Sequence, residues 1–257
     1  MNRVRIDISY RGTEYYGFQV QEDKVTIQGE LERVVSRLLK SSCSVDYAGR
    51  TDAGVHAKRQ VLSTSLPRSI PLDGMKRGMN SLLPEDIRVL DISEVPATFH
   101  ARFSAKARRY RYYFSLAPVP LEFLSFVYYC PYPVKLDTLS TALGVFEGRH
   151  DFTAFACTGS EQKSSVKTVE YCRFGSLDLS SISQDDSARI HYIEIQADGF
   201  LYKMVRNIVG ASLDFIAGRL KIDQLKAMVQ APNTRYNYTT VPGHGLCLEH
   251  VLYEMED

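Results

Sequence analysis

Apolar residues recur along the chain at two spacings, one typical of strands and one of helices. Residues 3–10 alternate apolar and polar positions, which is the pattern of a half-buried strand. Residues 26–40 repeat apolar positions at helical spacing and begin with Thr26, a residue type that caps helix N-termini. The chain is therefore predicted to begin with a strand and an amphipathic helix.

The same two patterns continue to the last third of the chain. They predict a strand around 60–66, a helix from about 72 to 82, strands within 87–115, a helix from about 137 to 147 capped by Asp137 and ended by Gly148, a strand at 189–197 and a helix over 200–218. Residues 15–21 favour a loop or a short strand, and the Ser-rich residues 175–188 favour a hairpin loop.

This order of elements favours an α+β fold made of two similar α/β halves. The expected halves are residues 1–115 and 136–257, and the Pro-rich stretch predicts a crossover at 116–135. We expect a mixed, mostly antiparallel sheet with helices packed on it. A cleft between two such halves is a natural place for a ligand.

Composition narrows the class of protein. Apolar residues make up 44% and charged residues 24% of the chain, as in ordinary soluble globular proteins. No stretch approaches the ~18 consecutive apolar residues that span a bilayer, and the N-terminus enters a strand directly. Five scattered cysteines without a CxxC pair predict reduced thiols, not disulfides or a structural zinc site. We therefore expect a cytoplasmic protein without a membrane segment.

Cations and aromatic residues are interleaved between residues 99 and 113, where no acidic residue occurs. The cations are Arg102, Lys106, Arg108, Arg109 and Arg111. Such a mixture can bind phosphates and stack on exposed bases, and it is also typical of a strand with one solvated, charged face. The two interpretations are compatible. The net charge of +1 is low for a nucleic-acid coat protein, but an enzyme that holds RNA in one cleft needs only a local basic patch.

The segment AGRTDAGVHA at residues 48–57 places Asp52 between two glycines and two residues after Arg50. Asp, Thr and Gly are common in surface turns. A carboxylate in a backbone that turns sharply is also typical of a reacting group. Asp52 and His56 could suggest a metal, but the glycines disfavour a helix there and no other ligand lies at local spacing. We therefore interpret His56 as a packing or hydrogen-bonding residue.

Arg206 interrupts the apolar helical pattern at 200–218. Its stem can pack while its head extends to water. Alternatively, a buried guanidinium needs a carboxylate partner such as Asp52, and the pair would keep that carboxylate ionised. The sequence contains no Walker loop, GxGxxG or GxSxG motif. The remaining hypothesis is a cofactor-free reaction on RNA, without a metal, centred on one Asp.

Six motifs, in order along the chain, resemble those of the TruA family of tRNA pseudouridine synthases. AGRTDAGVHA resembles the family's catalytic motif, in which the Asp is the essential residue. The others are YYGFQVQ (15–21), with Phe18 where Trp is common, FHARFSAKARRYRY (99–112), DFTAF (151–155), MVRNIVG (204–210) and PGHGLCLEHV (242–251). Together they cover nearly the whole chain.

The resemblance implies a pseudouridine synthase fold and an isomerase that needs no cofactor. It would detach uracil from C1′ of a uridine at positions 38 to 40 of the tRNA anticodon arm and rejoin it through C5. Asp52 would act at C1′, either by forming an ester or by abstracting a proton to give a glycal. The resemblance assigns substrate-binding roles to four residues: Tyr110 stacks on the uracil, Arg206 pairs with Asp52, Leu246 lines the base pocket, and Arg50 fills the space left by the flipped base.

The resemblance also implies a homodimer whose two subunits share one tRNA, with the residues from Arg102 to Arg111 facing the RNA. Two alternatives belong to other classes of protein. One is a non-catalytic tRNA-binding module that acts as a folding chaperone. The other is a metal-dependent hydrolase that uses Asp52 and His56.

Overall fold

The computed structural model describes residues 1–67, 69–157, 164–178, 189–231 and 233–254. Its helices and strands follow one another as β1 Asn2–Tyr10, α1 Ile27–Leu39, β2 Asp46–Tyr47, β3 His56–Leu66, α2 Leu72–Leu82, β4 Ile87–Glu94, β5 Ala107–Ser115, β6 Tyr128–Tyr129, α3 Leu139–Gly144, β7 Gly148–Asp151, β8 Val166–Asp178, β9 Arg189–Ala197, α4 Met204–Ile216, α5 Ile222–Gln230 and β10 Leu246–Leu252. Across these residues, no helix has the length and apolarity that a membrane crossing requires.

The chain forms two compact units, one of Met1–Lys106 with Cys247–Asp257 and one of Ala107–Leu246. Their bounds differ from the halves expected at 1–115 and 136–257. The physical reason is strand pairing: β5 pairs with β9, and β10 pairs with β3. A strand is grouped with the strands to which it hydrogen bonds, wherever it lies in the sequence. The expected crossover at 116–135 contains a 3-10 helix at Leu121–Phe123 and the short β6.

In the first unit the strand order is β4-β1-β3-β10, and β2 also pairs with β3. The pairs β1–β3, β1–β4 and β2–β3 are antiparallel, whereas β10 and β3 are parallel. The alternating side chains Val4, Ile6 and Ile8 of β1 are fully buried. Helix α1 begins as predicted, because the Thr26 hydroxyl accepts a hydrogen bond from the Gly29 N–H at 3.3 Å.

In the second unit the strand order is β5-β9-β8-β7, and β6 pairs with β5. Among the described strand pairs within this unit, only β5–β6 is parallel. Helix α4 is almost entirely buried, and Gly218 follows it with a φ of 76°. The α+β class and the mixed, mostly antiparallel pairing expected from the sequence are confirmed.

Three predicted elements have different bounds in the structure. The helix expected at 137–147 is a 3-10 turn at Leu136–Thr138 followed by α3, and Asp137 lies inside that turn rather than capping it. The helix expected from residue 200 begins at Met204, because Lys203 takes a left-handed conformation with a φ of 60°. Of the expected loop 175–188, residues 175–178 end β8, and 179–188 lie outside the described residues.

Candidate active site

Asp52 lies in the loop that connects β2 to β3 in the first unit. Its neighbour Thr51 is buried, as is Val55, whereas the Asp52 side chain is half-buried and Arg50 is exposed. The Val55 N–H donates to the Asp52 carbonyl at 3.2 Å and closes a tight turn. The turn predicted from the residue types is therefore present, and it has Asp52 at its accessible edge.

The segment around Phe18 fixes this turn from one side. The Phe18 N–H donates to the Thr51 carbonyl at 3.0 Å, and the Gly54 N–H donates to the Tyr15 carbonyl at 3.3 Å. Gly17 has a φ of 93°, and a Cβ there would lie 2.8 Å from the Thr51 carbonyl oxygen. The YYGFQVQ motif (15–21) thus holds the AGRTDAGVHA motif (48–57) in place. The spacing of the two motifs along the sequence did not reveal this link.

His56 begins β3 and is only 4% exposed. Its Nδ1 accepts a hydrogen bond from the Gly12 N–H at 3.0 Å, so this nitrogen carries no proton. Within the described ranges, no three His, Cys, Asp or Glu side chains are grouped so that they could hold a metal ion. The structure therefore gives His56 the hydrogen-bonding role that the sequence favoured.

The second unit contains three of the predicted site residues. Tyr110 lies in β5, is 7% exposed, and meets the Phe200 ring edge to face with centroids 5.2 Å apart. Arg206 lies in the first turn of α4, where it is half-buried. Leu246 begins β10 and is buried. Asp52 belongs to the first unit, so its pairing with Arg206 stays a prediction.

The segment that precedes Leu246 orients Arg206. The Arg206 Nε donates to the Val241 carbonyl at 2.8 Å. The Tyr112 hydroxyl donates to the next carbonyl, that of Pro242, at 3.1 Å. Burial lowers the pKa of His244 below its ordinary value, and the charge of Arg206 contributes to the same shift. The Arg206 guanidinium is thus fixed by a hydrogen bond and partly desolvated, so it does not simply extend into water.

The two cations of the basic segment in the first unit lie on the surface. Arg102 is exposed, with its guanidinium 5.8 Å from the centroid of the Phe103 ring. Lys106 is also exposed and pairs with Glu254 at 2.5 Å. Surface pairs of this kind exchange readily with water or with another anion.

The three arginines of β5 bond to the neighbouring strand or the turn after it. Arg108 Nη1 donates to the Asp198 carbonyl at 2.9 Å, Arg109 Nε to Gln196 Oε1 at 2.9 Å, and Arg111 Nε to Glu194 Oε2 at 2.5 Å. The strand predicted from the alternation is confirmed here. Arg109 and Arg111 share one face of β5, and because Glu194 offsets the charge of Arg111, that face is less basic than its sequence suggests.

Both units of the chain are similar to known proteins. The sequence profile described as tRNA pseudouridine synthase matches residues 8–104 and 142–254. The chain belongs to the TruA family of tRNA pseudouridine synthases. Asp52, Arg50, Arg206 and Leu246 lie within the matched ranges, and Tyr110 lies between them.

Full-length relatives carry the same family name. The chain is similar to tRNA pseudouridine synthase A of Anoxybacillus flavithermus, with 38% identity over 99% of this chain and 100% of the relative. The enzyme of the same name from Borrelia duttonii is 35% identical over 99% of this chain and 100% of the relative. Among solved structures, an archaeal box H/ACA sRNP Nop10-Cbf5 complex is similar over 81% of this chain and 52% of that chain, with 11% identity and a TM-score of 0.29. That likeness is too weak to support any inference about this TruA protein.

Proposed function

We propose that this chain converts uridine to pseudouridine at positions 38 to 40 of the tRNA anticodon arm, with Asp52 as the catalytic carboxylate. Membership of the TruA family supports a tRNA pseudouridine synthase, which is an isomerase. One structural observation supports Asp52 most directly: a half-buried carboxylate is carried by a turn whose backbone is fixed by the segment around Phe18. A group that acts on a single sugar carbon needs such a fixed position.

The proposed reaction moves one bond and leaves the overall atom count unchanged. The bond between N1 of uracil and C1′ breaks, and a bond between C5 and C1′ forms. The uracil loses the proton on C5 and gains one on N1. An ionised Asp52 can attack C1′ to form an ester, or remove a ribose proton to give a glycal. Neither route requires a metal, a nucleotide or a redox cofactor.

The second unit would supply the contacts to the base, in a cleft between the two halves of a pseudouridine synthase fold. Tyr110 would stack on the flipped uracil, and Leu246 would line the apolar side of its pocket. Arg206 would pair with Asp52 and keep it ionised and aimed. The hydrogen bond from Arg206 Nε to the Val241 carbonyl supports this role, because it fixes the guanidinium before any substrate arrives.

Arg50 would act while the base leaves the stack, a step that costs a few kcal/mol. The exposed Arg50 side chain is two residues from Asp52 and can fill the vacated space or bind the flanking phosphate. The tRNA would contact the basic segment and both subunits of a homodimer in the cytoplasm. Reaching three adjacent uridines requires recognition of RNA shape and backbone more than of sequence.

The test is release of tritium from tRNA labelled at C5 of uridine, with wild type, Asp52→Ala and Asp52→Asn compared in the presence of EDTA. We expect release by the wild type alone, because Asn keeps the shape of Asp52 without its charge. Binding of the same tRNA by all three proteins, measured by filter retention, controls for folding.

Three results would contradict the proposal. Release by Asp52→Ala at the wild-type rate would remove Asp52 from the chemistry. No release by the wild type from several tRNAs that it binds would favour the non-catalytic binding module. Loss of wild-type activity on adding EDTA would favour the metal-dependent alternative.

A further inference from the structure

A cluster of buried polar side chains lies beneath the Asp52 loop. Tyr10, the last residue of β1, is 5% exposed, and its hydroxyl lies 2.8 Å from the Thr51 hydroxyl, which is also buried. Burial raises the pKa of Tyr10 well above its ordinary value, so its hydroxyl keeps its proton. Thr51 is bonded to Asp52 through one peptide link.

Gln60 of β3 completes the cluster. Its side chain is fully buried, its Nε2 donates to the Gly49 carbonyl at 2.7 Å, and its side chain also hydrogen bonds to the Tyr10 phenol. The cluster therefore holds the chain on both sides of Arg50. The backbone N–H of Phe18 holds Thr51 by its carbonyl, so the Thr51 hydroxyl is a second, separate point of attachment.

The strand pairing beside this cluster is irregular. Along β1 and β3, Ile8 pairs with Gln60 but Tyr10 pairs with Ala57, so β3 has one residue more than β1 between these pairs. A bulge of this kind turns side chains away from the regular alternation, and bulges are common next to active sites. Here the bulge lies between Gln60 and Tyr10, the two strand residues whose side chains bond to the Asp52 loop.

We propose that Tyr10, Thr51 and Gln60 are positioning residues that set the orientation of Asp52 toward the ribose. The inference rests on the proposed function, since it assumes that Asp52 reacts at C1′. None of the three side chains is accessible to RNA, because all are buried. Their effect must therefore reach the reaction through the loop.

Tyr10→Phe removes one oxygen atom and keeps the ring, which packs against Phe18 with centroids 6.0 Å apart. Without its partner, the Thr51 hydroxyl is buried and unsatisfied, and the turn shifts to satisfy it. We expect the single-turnover rate of tritium release to fall by about tenfold, since small misplacements near reacting atoms are costly. The Kd for tRNA should stay within about twofold of the wild type, because no phosphate contact changes.

A matched control is Tyr253→Phe in the same unit. The Tyr253 hydroxyl is also buried and donates to the Ala101 carbonyl at 2.7 Å. Tyr10→Phe loses the hydrogen bonds of the Tyr10 hydroxyl to Thr51 and Gln60, whereas Tyr253→Phe loses one, to Ala101. Both melting temperatures should therefore fall, that of Tyr10→Phe by at least as much. Only Tyr10→Phe should lose catalytic rate.

A second pair of variants tests the same bond from its other end. Thr51→Ser keeps the hydroxyl and should retain a rate within about threefold of the wild type, whereas Thr51→Val keeps the shape and should lose about tenfold. This pair replaces Tyr10→Phe if that variant does not fold.

The outcomes separate the two proposals. If Tyr10→Phe and Thr51→Val react like Tyr253→Phe while Asp52→Ala is inactive, the positioning role is wrong and the proposed function stands. If Asp52→Ala is active, the proposed function fails first. A rate loss confined to Tyr10→Phe and Thr51→Val supports the inference.

Discussion

Gly12→Ala should disable the Asp52 loop through a backbone collision. A Cβ on Gly12 would lie 2.0 Å from the Val55 carbonyl oxygen and 2.7 Å from its carbon. Both atoms belong to the backbone, so no side-chain rotation can relieve the contact. The Gly12 N–H also donates to His56 Nδ1 at 3.0 Å, and separation of the two segments would break this hydrogen bond.

The size of the expected effect of Gly12→Ala follows from the short distance between the new Cβ and the Val55 oxygen. Ordinary van der Waals contact at a Cβ begins near 3.4 Å, so the 2.0 Å contact with the Val55 oxygen must lengthen by about 1.4 Å. A misplacement of about 1 Å can cost on the order of 100-fold in rate. Overpacking of this kind also destabilises a fold by about 1–3 kcal/mol. We therefore expect a large loss of kcat, a moderate loss of stability, and little change in tRNA affinity.

The assay is tritium release at saturating tRNA, with urea unfolding in parallel. The control is Gly74→Ala in α2, where the nearest atom to a new Cβ is the Pro71 Cβ at 4.0 Å. That variant should keep full activity and gain up to about 1 kcal/mol, because Ala favours a helix over Gly. A Gly12→Ala protein with the kcat and unfolding midpoint of the wild type would refute the reasoning.

Three further predictions concern stability, pH and salt. Asp214→Asn should lower the free energy of unfolding in urea by about 1–3 kcal/mol, because buried Asp214 pairs with the Arg219 guanidinium. Burial lowers the pKa of His191, so the folded state binds fewer protons than the unfolded state. The contribution of His191 to stability is therefore complete above its ordinary pKa of about 6.5 and falls as the pH drops through that value. His191→Gln should flatten this fall in pH-dependent melting. Arg102→Ala should reduce the salt slope of tRNA binding by about 1 if exposed Arg102 contacts a phosphate.

Each of the three predictions on stability, pH and salt has an outcome that contradicts it. Unchanged urea unfolding of Asp214→Asn would show that the pair only offsets its own desolvation. Equal pH-dependent melting of wild type and His191→Gln would assign the fall to other groups. A salt slope unchanged in Arg102→Ala would remove Arg102 from the RNA interface while leaving the proposed chemistry intact.

Local patterns predicted most of the regular elements. Helix α1 needed only its apolar spacing and the Thr26 cap, and β1 needed only its alternation, because both signals lie within a few neighbouring residues. The helix predicted at 137–147 is longer than the observed α3, because its apolar spacing does not distinguish a 3-10 turn from an α-helix. The left-handed Lys203 was likewise invisible, since nothing local requires it.

The sequence by itself determined the family and the identity of Asp52 as a candidate, because the motifs that carry both are contiguous. Only the tertiary structure decided how the Asp52 turn is held. Its partners Tyr10, Gly12 and Phe18 are more than thirty residues away in the sequence. They reach the turn and the start of β3 through hydrogen bonds that involve both backbone and side-chain groups. Hydrogen bonds between distant segments follow from the fold's register, which local spacing does not encode.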